Sequence, residues 1–415
     1  MKNADELAFF ATKLSNQTGC EKTSPSDWYS AFVRLEREIN DDVRTVVLLD
    51  EISWMAFYDV TFPEVLKNAW DDLFKKHRKL VLVLCGSVSS WIRENIIDNG
   101  AYAGRRSADF VVPELPLKDC VKFWGGKALR NSSTEILDVL SVTGGVPRYL
   151  EEVNPALSAN ENIRRMGFLR RSLLATDFEE IFRDVFTGEI SDKVDVLRTL
   201  AGASRNVSEI AAMLGKERNG HLSDVLNELR EAGFISCDEG LNPETGRPVQ
   251  QLRYRLSDNY ARFYLRYMEP NLDMIERGAF ANVSLEQLGG WNSVLGLAFE
   301  NLVVNNFREL LPKLGLERSL VKSAAPFRKG DPESGKGVQV DLLLQTARSI
   351  YLIEIKRQTE IGSEVIDEVD QKVRRIKCPK GTAVKTALVY DGCLARTVEA
   401  DGYFDAIINF HDLLF

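Results

Sequence analysis

Val46-Val47-Leu48-Leu49-Asp50-Glu51 is the stretch on which the reading of this 415-residue chain turns. Four apolar residues run straight into two adjacent carboxylates. Such a run suits a strand buried in a parallel sheet, with its acids delivered at the C-terminal end. The same six residues would also suit a core strand that merely ends in Asp-Glu. The neighbouring sequence has to decide.

Working outward, residues 3–16 carry a helical pattern. Ser24-Pro25 offers an N-cap and an N1 proline to a second helix, on which Trp28, Phe32, Leu35 and Ile39 share one face. An amphipathic helix is expected over 63–77, a second apolar strand over 80–85, a helix over 90–97 and a short third strand over 109–112. Strands alternating with helices imply a parallel α/β sheet.

The composition narrows the function classes. At 44% hydrophobic and 27% charged residues the chain is an ordinary folded one, long enough for several domains. A formal charge of −8 argues against a general nucleic-acid coat but leaves room for a local basic face. The six cysteines are widely spaced, without C-x-x-C, as in a reducing compartment. With only His77, His221 and His411 present, histidine-based metal or triad chemistry is not expected. No apolar run approaches membrane-spanning length, so a cytoplasmic protein with no membrane partner is expected.

The segments V-V-L-L-D-E-I-S-W-M, L-V-L-C-G-S, Y-A-G-R, E-L-P-L and G-G-V-P-R-Y-L, in that order, closely resemble the archaeal-type AAA-superfamily ATPases, STAND-like P-loop proteins. The resemblance implies that Asp50 and Glu51 are a Walker B pair, the first acid holding Mg²⁺ and the second polarising water. It places Ser87 at sensor 1, makes Arg105 an arginine-finger candidate, and sets Gly144-Gly145-Val146-Pro147 in the sensor-2 region. Read bottom-up, Ser87 also suits a helix N-cap, Arg105 a surface cation and the glycine pair a helix stop.

Nucleotide binding needs G-x-x-x-x-G-K-[ST] between a strand and a helix. Lys22-Thr23 lacks both glycines, having Asn16 and Glu21 instead. The stretch from Gly330 to Gly337 ends in glycine where the Mg²⁺-binding hydroxyl belongs, and it carries two acids, so it reads as a hairpin loop. ATP is therefore a family-level expectation only. The core is expected to be an incomplete P-loop sheet, as in an N-terminally truncated or split protein, with an upstream-encoded P-loop fragment or a homo-oligomer as possible partners.

Residues 150–190 read as a helical lid. Helical patterns over 192–201, 207–214 (opened by Ser208-Glu209) and 222–232 are followed by paired strands over 234–238 and 250–256, which is a winged-helix pattern. Lys216, Arg218 and Arg230 could face DNA, but Asp224, Glu228 and Glu231 offset them, so DNA contact and a packing role both stand. The aromatics Tyr260, Phe263, Tyr264 and Tyr267 recur at helical spacing and read as core.

A second carboxylate set lies beyond residue 290. A helix over 291–307 carries Glu300. Strands over 338–344 and 349–357 are expected to form a hairpin, with Glu354 and Lys356 on one face and Asp341 beside them. A helix over 364–376 and a strand over 381–390 follow. D…E-x-K is the constellation of the restriction-endonuclease-like fold, and the resembled ATPases carry a similar C-terminal domain. Asp341, Glu354 and the Ile355 carbonyl suit Mg²⁺, Lys356 suits a water-orienting cation, and Glu300 a further ligand or base. The same residues would also suit an edge strand with alternating charges.

The expected fold is α/β multidomain. It comprises a truncated AAA-type ATPase core (1–150), a helical lid (151–191), a winged-helix domain with aromatic linker (192–270) and a PD-(D/E)xK nuclease-like α/β domain (285–415). The expected function is Mg²⁺-dependent DNA cleavage in an ATPase-fused protein. The alternatives are a non-catalytic regulatory scaffold and a DNA-binding module.

Overall fold

A computed structural model describes residues 3–86, 90–186, 190–330 and 337–415. The chain divides into two compact units, residues 1–111 with 184–187, and residues 112–183 with 188–415. It is mixed α/β, with parallel and mixed sheets. Among the described residues, no helix is long and apolar enough to cross a membrane.

In the first unit, β1 (Thr45–Leu49) pairs in parallel with β2 (Leu80–Leu84), from Thr45↔Leu80 to Leu49↔Leu84. Val47, Leu49, Leu82 and Leu84 pack on Trp28, Phe32, Phe62 and Phe74. These rings come from the helices Trp28–Arg37 and Phe62–Ala69 and the turn after the latter. Trp28 and Phe62 meet edge to face at 5.0 Å. The expectation that β1 is buried on both faces is corrected. Val46 and Leu48 on its other face are 61% and 57% exposed. The second helix starts later than expected. Asp27, not Ser24, caps it, accepting from Ser30 N–H in a reciprocal capping box.

The third strand expected over 109–112 is absent. Phe110, Val111 and Val112 are 86%, 83% and 90% exposed and belong to no ladder. A strand needs a neighbour for its N–H and C=O groups. Among the described residues, β1 and β2 pair only with each other.

In the second unit, the helices Ser191–Leu200, Val207–Met213 and Gly220–Glu231 precede an antiparallel pair, β3 (Ile235–Cys237) and β4 (Tyr254–Leu256). Asn206, rather than Ser208, opens the middle helix, in a capping box with Glu209. The aromatic stretch is core, as its spacing implied. Tyr260, Phe263, Tyr264 and Tyr267 are all buried, and Tyr264 stacks on Phe178 at 4.1 Å.

The largest sheet has the order β5 (Ser323–Lys329), β6 (Val338–Gln345), β7 (Ser349–Ile361), β8 (Ala383–Leu394), β9 (Ala406–Asn409). The first two pairings are antiparallel and the last two parallel. β7 is central, and six consecutive residues from Ile350 to Ile355 are buried. The helix Glu364–Arg375 makes the crossover that a parallel β7–β8 pair requires. Its Val365 and Val369 pack with Leu352 and Leu388. The helix Trp291–Asn305 also packs on β6 and β7.

Candidate functional site

The β6–β7 hairpin builds the site. Its ladder runs from Gln345↔Ile350 to Leu342↔Ile353. Asp341 and Glu354 come next. The Asp341 carboxylate extends the pairing by side chain, its Oδ2 accepting from the Ile355 N–H at 2.9 Å. Glu354 is 2% exposed and receives two ammonium groups, Lys372 Nζ at 2.5 Å and Lys356 Nζ at 3.1 Å. Lys356 also donates to Glu368 at 2.7 Å. Glu300 joins Asp341, Glu354, Lys356 and Lys372 in lining one cleft.

The structure thus brings Asp341, Glu354, Lys356 and Glu300 to one cleft, and it adds Lys372 and Glu368, which the sequence reading missed. Both lie one helical turn apart on the β7–β8 crossover helix, an i, i+4 spacing that puts them on one face. That spacing was the available signal.

The electrostatics are strained by like charge. Burial, then Glu354 and Glu300, push Asp341 up to about 8, against the pull of Lys372 and the Ile355 N–H. Burial also raises Glu300, opposed by Arg262 and reinforced by Glu354. For Lys356, burial acts downward, but its pairs with Glu368 and Glu354 prevail and raise it.

Among the described residues, no group of three or more His, Cys, Asp or Glu side chains has metal-ligand geometry. The donor chemistry nevertheless fits a hard divalent cation. Asp341, Glu354 and Glu300 are carboxyl groups crowded into one cleft, and Asp341 is raised first by burial and then by the two other acids. Asp341 and Glu354 are the pair that would hold Mg²⁺.

The acids of the opening stretch sit differently. Asp50 and Glu51 are exposed at the end of β1, and Glu51 opens the next helix in a left-handed conformation at φ 50°. Asp50 accepts a hydrogen bond from the Glu51 N–H at 3.2 Å. Arg105 is committed to Asp71, donating from Nε at 3.0 Å and Nη2 at 2.7 Å. This pair holds the Asp71 carboxyl down at about 2. Ser87 and most of the Gly330 to Gly337 stretch lie outside the described residues. The strands flanking that stretch pair as Lys329↔Val338 in an antiparallel ladder. Gly144 and Gly145 seat the preceding segment. Gly145 N–H donates to Glu114 at 2.8 Å, and Leu115 N–H donates to Gly145 O at 2.9 Å.

No protein-family model matches the chain. An "Uncharacterized protein MJECL04" of Methanocaldococcus jannaschii is 27% identical over 344 residues, covering 79% of this chain and 70% of the relative. Among solved structures, the chain is similar to the Walker-type ATPase PABY2304 of Pyrococcus abyssi, at 18% identity and a TM-score of 0.44, over 61% of this chain and 75% of that one. It is also similar to the Aeropyrum pernix ORC2 protein, at 14% identity and a TM-score of 0.29, over 68% and 77% of the two chains.

Proposed function

We propose that the second unit carries a restriction-endonuclease-like domain, over 285–415, that cleaves phosphodiester bonds in DNA with Mg²⁺. The observation that carries this reading is the convergence of Asp341, Glu354, Lys356 and Glu300 in the β6–β7 cleft. Bound Mg²⁺ would supply a Lewis acid to the scissile phosphate. Lys356, held protonated by Glu354 and Glu368, is placed to stabilise the charge that builds on phosphate oxygens. Lys372 neutralises and orients Glu354. Glu300, raised by burial, is a proton acceptor for the attacking water. The three helices and β3–β4 hairpin over 192–270 form a winged helix in this reading, which either meets DNA or packs the domains.

The test is nicking of supercoiled plasmid by the full chain with Mg²⁺ or Mn²⁺. Cleavage abolished by Asp341→Ala and Lys356→Ala supports the reading. Wild-type inactivity on DNA and RNA substrates alike would overturn it.

A second reading, a nucleotide-linked regulatory scaffold, would draw on the exposed acids Asp50 and Glu51 and the uncovered apolar face of β1–β2. A partner bringing a strand and a P-loop, or a second copy of the chain, would cover that face. Micromolar ATP binding by the full chain or its complex supports this reading. Absence of binding in both removes it.

A further inference from the structure

Asp341 also lines a second cavity, of about 230 Å³. It is enclosed by the β3–β4 hairpin module, the Trp291–Asn305 helix and strands β5 and β6. Four arginines line it, Arg253, Arg255, Arg262 and Arg328. They come from three separate places in the fold, so no single helix or loop pattern explains their convergence.

Arg262 and Arg328 leave capacity for a ligand. Arg262 is only 3% exposed and donates to the Ala201 and Leu256 carbonyls, yet its Nε has no hydrogen-bond partner. A buried unpaired donor is uncommon and asks for an acceptor. Arg328 has an uncharged partner, Gln339, and the proximity of Arg253 adds to burial in lowering its affinity for a proton. Arg253 is held by Ser204 and by Glu209 at 2.9 Å, and Arg255 by Asn301, Asn305 and Asp238. The acids Asp238, Glu300 and Asp341 also line the cavity and offset part of the guanidinium charge.

We infer that this arginine-lined cavity binds a phosphate-bearing nucleotide, with the phosphate held by Arg328 in the positive field of Arg253. The planar forks of arginine suit phosphate oxygens. The volume falls below the ~300–1,000 Å³ of typical whole-ligand pockets. It therefore fits a phosphate with its sugar better than a polymer. The source is either a free nucleoside monophosphate or the terminal phosphate of a strand. Asp341, Gln339 and Glu300 line both this cavity and the acid cleft, so the ligand would lie beside the candidate catalytic residues. The inference does not depend on cleavage, because the arginines are separate from Glu354, Lys356 and Lys372.

The experiment is calorimetric titration of the full chain with AMP, 5′-phosphorylated thymidine hexamer and unphosphorylated hexamer. Saturable binding of a phosphorylated probe, weakened at least tenfold by Arg328→Ala and by Arg253→Ala but unchanged by Arg348→Ala on the β6–β7 turn, supports the site. Tighter binding of AMP assigns a free nucleotide, and tighter binding of the phosphorylated hexamer assigns a strand end. Arg328→Lys, which keeps charge but not the fork, is expected to bind at an intermediate level. Glu354→Gln, which does not line this cavity, should leave binding intact. Retained binding beside absent wild-type cleavage would overturn the nuclease reading while keeping the cavity. No saturable binding of either phosphorylated probe, or binding indifferent to both arginine substitutions, would overturn the cavity assignment.

Discussion

Lys372 Nζ lies 2.5 Å from Glu354 Oε2, joining the crossover helix to the central strand at the candidate site. The glutamate is almost fully buried, whereas the lysine side chain is 21% exposed. The pair thus brings a second cation from the cleft rim to an acid that also pairs with Lys356. Lys372→Ala is expected to lower cleavage by about tenfold to a hundredfold, in the range of losing a residue that orients a metal-ligating carboxylate. It should also destabilise the fold by about 1–3 kcal/mol, since Glu354 loses a charged partner. Plasmid nicking and urea denaturation check the two effects separately. Lys372→Arg restoring nicking would mark a charge requirement, and unchanged nicking in Lys372→Ala would remove its positioning role.

Asp341 gives a pH signature. Its carboxyl is raised to about 8 in the folded chain, against an ordinary value near 4 when unfolded. Between these values the folded state holds a proton that the unfolded state has released. Stability from this group is therefore fully present below about pH 4 and lost as pH rises towards 8. Asp341→Asn should flatten this decline, whose slope cannot exceed ~1.4 kcal/mol per pH unit for one proton. Denaturation curves of both proteins across pH 4–9 test it, and parallel curves would show that Asp341 titrates normally.

Gly145 is constrained by its neighbours. A Cβ there would meet the Leu115 carbonyl oxygen at 2.5 Å and the Leu115 nitrogen at 2.9 Å. Both are backbone atoms in the Glu114–Gly145 pairing, so neither can swing aside. Gly145→Ala is expected to cost about 2 kcal/mol or more by this overpacking. Urea denaturation reads the loss, and a change under about 0.5 kcal/mol would show that the segment yields.

The two faces of β1 should respond oppositely. Leu49 is 5% exposed within the core of the first unit, so Leu49→Ala is expected to cost about 2–5 kcal/mol. Leu48, at 57% exposure, should accept Leu48→Ser within about 0.5 kcal/mol in the isolated chain. A large loss in Leu48→Ser at low protein concentration would show that this face is covered in solution.

Much was legible in the sequence because it is local. Apolar runs marked β1, β2, β6, β7 and β8, and period-two spacing put Glu354 and Lys356 on one face. Short polar caps were harder to place, because several candidates compete within a few residues. Asp27 took the role expected of Ser24, and Asn206 the one expected of Ser208. The strands Ser323–Lys329 and Ala406–Asn409 were not anticipated, since short edge strands lack a distinctive pattern and are specified by the ladder they join.

For Val46-Val47-Leu48-Leu49-Asp50-Glu51, the sequence by itself determined a strand ending in two acids. Tertiary structure decided that the strand has one covered face and that its acids stand exposed. The same division holds at the other end of the chain. Residue types and spacing determined which carboxylates and lysine could share a strand pair. Only packing of the crossover helix brought Lys372 to Glu354, and only the meeting of the hairpin module with β5 gathered four arginines in one cavity with Asp341. Strand and helix periods are set by neighbouring residues along the backbone. Such meetings depend on contacts between residues far apart in sequence, which no local pattern encodes.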